Sequence, residues 1–152
     1  MEVVHATAKR ATCLRRSVGC VLMDKDGFIL STGYNGVAAG MTHCNKHVPP
    51  EGERPLTWRE RAEGICAPMS EYPFACPGAN AASGTNLDGC HAIHAEQNAL
   101  LRCSDVRQIF MCFVSSSPCL TCVKLLMNTG CKQIYFAEPY AHDAASKALW
   151  EQ

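Results

Sequence analysis

At 152 residues the chain is about one domain long. With 47% hydrophobic and 18% charged residues it has material for a packed core and too little charge for a disordered chain. A net charge of zero argues against an electrostatic nucleic-acid binder, and no apolar run approaches the ~20 residues that span a bilayer. The opening Met1-Glu2-Val3-Val4-His5 lacks the basic-then-apolar layout of a signal peptide, so a cytoplasmic location is expected. Against that background 11 cysteines and 6 histidines stand out. In a reducing compartment such thiols point to metal ligation or catalysis before disulfides.

In chain order, residues 2–15 place Val3, Val4, Ala8 and Ala11 among polar and basic positions and predict an amphipathic helix. Ser17 to Met23 reads as a strand covered on both faces, Asp24-Lys25-Asp26-Gly27 as a turn, and Phe28 to Gly33 as its hairpin partner. From Gly36 to Cys90 the periodicity stops. This stretch holds most of the prolines and glycines together with Cys44, Cys66, Cys76 and Cys90, with room for one helix over 56–62. A structureless stretch of that length inside one domain needs something to order it, and metal tethering is one candidate. His94 to Arg102 then predicts a helix, Ile109 to Val114 a strand, and Ser117-Pro118 the capped start of a helix that runs to Met127 and stops at Asn128-Thr129-Gly130. Gln133 to Ala137 predicts another strand and Asp143 to Trp150 a last helix. The order α-β-β-α-β-α-β-α implies a three-layer α/β/α sandwich around a mixed sheet.

Cys119 and Cys122, three apart at a helix start, project from one face where the helix terminus favours thiolates. Alone, Cys-x-x-Cys fits a core pair, a redox pair or a metal site. His94-Ala95-Glu96 at the preceding helix start sharpens the choice, provided that His94 occupies the irregular first turn. A His-x-Glu start followed by Pro-Cys-x-x-Cys is the pattern of zinc deaminases that act on nucleobases. Three protein ligands, His94, Cys119 and Cys122, leave one tetrahedral position for water, and Glu96 is left over as the proton carrier.

Four blocks carry a more specific resemblance: Cys13-Leu14-Arg15-Arg16-Ser17-Val18-Gly19, Gly33-Tyr34-Asn35-Gly36, Ile93 to Leu100, and Ser117-Pro118-Cys119-Leu120-Thr121-Cys122. With them the chain resembles the deoxycytidylate (dCMP) deaminases, of the cytidine-deaminase-like fold. The resemblance implies a single domain over 1–152 with a Cys/Pro-rich insertion at about 37–90. It implies hydrolysis of dCMP to dUMP and ammonia, with zinc activating water and Glu96 shuttling protons, to supply thymidylate synthesis. It also implies a homohexamer activated by dCTP with Mg2+ and inhibited by dTTP at a site between subunits near Gly-Tyr-Asn-Gly. Carried onto this chain, Asn35 would bond the sugar, while Ser117 and Tyr140 would line the pocket. Arg15 and Arg16 read equally as phosphate or effector contacts and as solvated bases; Tyr34 reads as packing.

Some phage and bacterial members of that family carry a structural zinc. The resemblance places Cys13 and Cys44 at two of its ligand positions, with Cys90 or His91 at the third and Cys76, His43 or His47 at the fourth. Cys20, Cys103, Cys112 and Cys131 sit in apolar or element-end contexts and read as packing. Other readings stay open. A deaminase of dCTP, free cytidine or a polynucleotide would share the zinc motifs, although a polynucleotide enzyme wants a basic groove and stacking aromatics, and aromatics are 7% of the chain. A zinc-stabilised binding module would leave Glu96 without a purpose, and a thiol redox protein would not need His94. Expected partners are small nucleotides, with no membrane and no polymeric nucleic acid.

Overall fold

A computed structural model describes residues 1–57, 60, 63, 67–82, 85–86, 88–140 and 143–152. Four strands, β1 (Gly19–Met23), β2 (Ile29–Tyr34), β3 (Met111–Ser116) and β4 (Gln133–Glu138), form one sheet in the order β2-β1-β3-β4. β1 runs antiparallel to β2 and β3, whereas β3 and β4 are parallel, so the sheet is mixed. The β1–β2 turn is closed by Asp24, whose Oδ1 accepts from the Asp26 and Phe28 amides at 3.0 and 2.8 Å, and Gly27 takes the φ of +88° that the tight turn needs.

Central position explains the unbroken apolar run of β1, since both of its faces are covered. Cys20, Leu22, Cys112 and Val114 face the helices α2 (Ala95–Arg102) and α3 (Leu120–Met127) and build the core with Ala95, Ala99, Ile109 and Leu126. Val21 lies on the opposite face, where Val4 and Ala8 of α1 (Glu2–Ala8) are buried. The last helix, α4 (Ala144–Trp150), packs on α3. The result is the three-layer α/β/α sandwich expected from the sequence. β4 reads from sequence as apolar, yet Tyr135 and Phe136 are 45% and 38% exposed because β4 forms an edge of the sheet.

α1 is shorter than the pattern over 2–15 predicted. Past Ala8 the chain is drawn to the end of β2: the Thr12 amide donates to the Asn35 carbonyl at 3.1 Å. The Asn35 side chain accepts from the Val18 amide and donates to the Arg16 carbonyl, both at 2.8 Å. These bonds offer the backbone of 12–18 a better partner set than a helix would. The helix expected over 56–62 falls mostly outside the described residues, as does Cys66.

The long insertion leaves the sandwich undisturbed because its ends meet. Gly36 and Ile93 exchange two backbone hydrogen bonds, 3.2 and 2.8 Å, one residue before His94. Within it His47 pairs with Glu71, and Arg15, in the segment before β1, donates to the carbonyls of Ala82 and Thr85 at 2.5 and 3.2 Å.

Candidate active site

β3 and β4 are parallel, and the crevice beyond their carboxyl ends is where open α/β sheets bind ligands. There lies a cavity of about 450 Å3, in the range of small-molecule sites. Two helix starts meet at its floor. His94 caps α2 with extended backbone (φ −68°, ψ 156°), its amide donating to Gln97 Oε1 at 2.9 Å. Cys119 caps α3 in the same conformation (φ −71°, ψ 166°). Each residue therefore stands off its helix axis toward the gap, while Cys122 rises one turn later on the face it shares with Cys119.

His94 Nδ1 lies 3.4 Å from Cys119 Sγ and 3.5 Å from Cys122 Sγ, and the three donor atoms all fall within 4.8 Å of one another. A tetrahedral zinc with Zn–S near ~2.3 Å and Zn–N near ~2.0 Å needs N···S edges of roughly 3.5 Å. The donor set therefore fits zinc in both chemistry and spacing. The protonation of the three groups agrees. The neighbouring Cys122 thiol, with His94, holds Cys119 down to about 4, whereas that same contact and burial push Cys122 up. Cys119 in turn raises His94. Two thiolates beside a neutral imidazole require a cation to hold them together.

Glu96, in the first turn of α2, is 4% exposed and lines the cavity beside His94 and Cys119, and burial pushes its carboxyl above the usual range. Asn35, Ser117, Tyr140, Arg15 and Arg16 also line the cavity. Their side chains are not equally available. Asn35 holds the backbone at Arg16 and Val18, the Ser117 hydroxyl donates to Asp143 Oδ2 at 2.9 Å, and Arg15 is committed to the insertion. Arg16 keeps its guanidinium in the cavity, 5.3 Å over the Tyr140 ring, with Nη1 3.4 Å from Ser116 Oγ. Ser116 and Asp143 had no motif to announce them.

Among the second-site candidates, the Cys76 thiol lies near those of Cys44 and Cys90, and Cys13 is close enough to act electrostatically on Cys44 and Cys90. Among the described residues, however, the first cluster is the one group of metal-ligating side chains closed to 4.8 Å. His91 is exposed and offers Cys76 its backbone amide. His47 uses both ring nitrogens, Nε2 on Glu71 and Nδ1 on the Leu56 amide, and His43 borders a smaller cavity. The thiols read as packing behave so: Cys20 and Cys112 lie buried 3.7 Å apart in the core, and burial pushes Cys131 up to about 12.

An α/β/α sandwich that sets a His-x-Glu helix start against a Cys-x-x-Cys helix start is the architecture of the zinc-dependent nucleobase deaminase class. The chain belongs to the cytidine and deoxycytidylate deaminase family, whose zinc-binding-region model matches residues 1–138. It is 33% identical to a deoxycytidylate deaminase of Schizosaccharomyces pombe over 98% of this chain and 39% of that one. It is 31% identical to a deoxycytidylate deaminase of Mycobacterium phage D29 over 90% of this chain and 89% of the phage protein. The chain thus spans about two fifths of the length of the yeast relatives, 39% and 38%, and most of the phage one. Among solved structures, the dCMP deaminase of cyanophage S-TIM5 in complex with dCMP and dUMP shares the fold at TM-score 0.63 and 23% identity, over 99% of this chain and 86% of that one.

Proposed function

We propose that residues 1–152 form a single dCMP deaminase domain that hydrolyses dCMP to dUMP and ammonia. The observation that carries this reading is the Glu96 carboxyl buried in the cavity floor beside the His94, Cys119 and Cys122 donors. Zinc held by those donors would leave a fourth position for water and lower the pKa of that water from ~15.7 toward ~7. Glu96 takes the proton from the attacking water and places it on the ring nitrogen of cytosine, then takes the proton of the hydroxyl added at the ring carbon and passes it to the amino group, which leaves as ammonia. Burial raises the carboxyl above its usual range, the direction that suits a group serving as base and then as acid. Asn35 faces the sugar, and the Arg16 guanidinium is the contact for the single phosphate.

Purified protein incubated with dCMP, dCTP, cytidine and a cytosine-containing oligonucleotide is expected to release ammonia fastest from dCMP. Turnover of the oligonucleotide alone would overturn the reading. Regulation belongs to the same proposal: dCTP with Mg2+ activating and dTTP inhibiting a cytoplasmic homohexamer. The second cavity, about 230 Å3 and bordered by Tyr34, Gly36 and Arg102, supports an effector site near Gly-Tyr-Asn-Gly. Beside it the buried Thr12 hydroxyl has no hydrogen-bond partner.

A second, structural zinc on Cys13, Cys44, Cys76 and Cys90 completes the reading. Its support is the gathering of these four thiols at the junction of insertion and sandwich. Metal analysis is expected to return about two zinc per chain, falling to about one in Cys44→Ser. A variant that keeps both equivalents would remove Cys44 from the ligand set.

A further inference from the structure

Tyr140 follows β4 and lines the cavity, and the bonds that fix it lead through Ser117, also in the cavity wall, to residues behind it. Its amide donates to Ser117 Oγ at 2.6 Å, and the Ser117 hydroxyl donates onward to Asp143 Oδ2 at 2.9 Å. Asp143 is anchored in turn by Lys147 Nζ at 2.9 Å, and Lys147 lies 5.5 Å over the Phe136 ring. With that orientation of the hydroxyl, Ser117 accepts from one side and donates to the other. An acceptor at position 143 is what turns the hydroxyl so that its lone pair meets the Tyr140 amide.

The same tyrosine carries the cavity's arginine. Arg16 lies over the Tyr140 ring, its head meets Ser116 Oγ, and its carbonyl is held by Asn35. A guanidinium stacked on an aromatic face keeps its N–H fork free in its own plane, which suits a phosphate. Displacing the ring removes the platform without touching the metal donors, the carboxyl of Glu96 or the base pocket.

We propose that Asp143 is a positioning residue for substrate phosphate: through Ser117 it fixes Tyr140, and through Tyr140 it aims Arg16, so that it sets the preference for a nucleotide over its nucleoside. This rests on the monophosphate reading above and adds a residue to it. The ion pair with Lys147, and then the Ser117 hydrogen bond, keep the Asp143 carboxyl below its ordinary range, so it remains an acceptor at neutral pH.

The test compares dCMP with deoxycytidine on the zinc-loaded enzyme. Asp143→Ala is expected to raise KM for dCMP about tenfold, the scale of one hydrogen bond to a charged group, with kcat and the KM for deoxycytidine within about twofold. Asp143→Asn retains an acceptor oxygen and is expected to restore KM to within about threefold of wild type. In an Arg16→Ala background Asp143→Ala should add nothing further, because the two act in series. If Asp143→Ala does not fold, Asp143→Ser, a helix-capping residue with too short a side chain to reach Ser117, cuts the same connection and is read by the same split. An equal loss on both substrates, or a full additive loss in the Arg16→Ala background, would overturn the assignment. Wild-type protein that treats dCMP and deoxycytidine alike would overturn the monophosphate reading itself. A wild type that discriminates, with variants that discriminate equally well, sinks only the role of Asp143.

Discussion

Glu96→Ala is expected to lose about 10²–10⁴ in kcat toward dCMP while zinc content stays at the wild-type level. The carboxyl sits two residues after His94 yet is absent from the donor cluster, so its removal takes away the proton carrier and leaves all three metal donors in place. Alanine at a site that is 4% exposed also opens a void, and some loss of stability accompanies the change. Glu96→Gln separates the two effects. The amide fills the same volume and cannot accept the water's proton, so kcat should fall as far while the melting temperature stays within a few degrees. Rapid quench of ammonia release, zinc analysis and thermal melts on the three proteins together decide the matter. A Gln variant that keeps more than about a tenth of wild-type turnover would remove Glu96 from the chemistry.

The metal donors were readable from sequence because each is fixed locally. Cys119 and Cys122 need only a helix beginning near Leu120, which Ser117-Pro118 announces two residues early because the Ser117 hydroxyl bonds Asp143 and Cys119 takes the cap position, and His94 needs only to precede a helix beginning at Ala95. What escaped depends on chain segments distant in sequence. Asp143 reaches Ser117 across 26 residues, and Arg16 meets Ser116 across 100. No periodicity encodes either pairing, since the first arises where β3 and β4 deliver their ends side by side and the second where the chain entering β1 meets the end of β3. Arg15 and Arg16 look interchangeable as neighbours in one basic block. The fold divides them, one strapping carbonyls of the insertion and the other left in the cavity. The fourth ligand of the second cluster is open in sequence among Cys76, His43 and His47 for the same reason. The histidines are spent elsewhere or turned to the smaller cavity, and Cys76 is brought against Cys44 and Cys90 by folding of the insertion.

The largest structural effect is expected from a single methyl group at Gly33. This residue faces α2 from the edge strand β2, opposite Cys20 of β1. A Cβ there would enter the Ala95 carbonyl and the Ala99 amide and stand 2.9 Å from Ala99 Cα. These are helix backbone atoms, and no rotamer change can move them aside. The helix would have to lift, but it is tied to the same strand by Ser31 Oγ on the Ala99 carbonyl and by Asn98 Nδ2 on the Tyr34 carbonyl, both at 2.9 Å. Gly33→Ala should therefore cost about 1–3 kcal/mol of stability. Since α2 carries His94 and Glu96, zinc affinity should fall about 10–100-fold as well, the scale seen when groups supporting a ligand are disturbed. Gly40→Ala is the control. Its φ of +86° imposes backbone strain, but nothing lies within 4 Å of its Cβ, so it should lower the melting point without changing zinc affinity. Melting curves with competition against a chelating dye measure both quantities. Equal zinc affinity in the two variants would mean that α2 does not have to move to admit the methyl group, and that the Gly33 contact does not set the position of the metal donors.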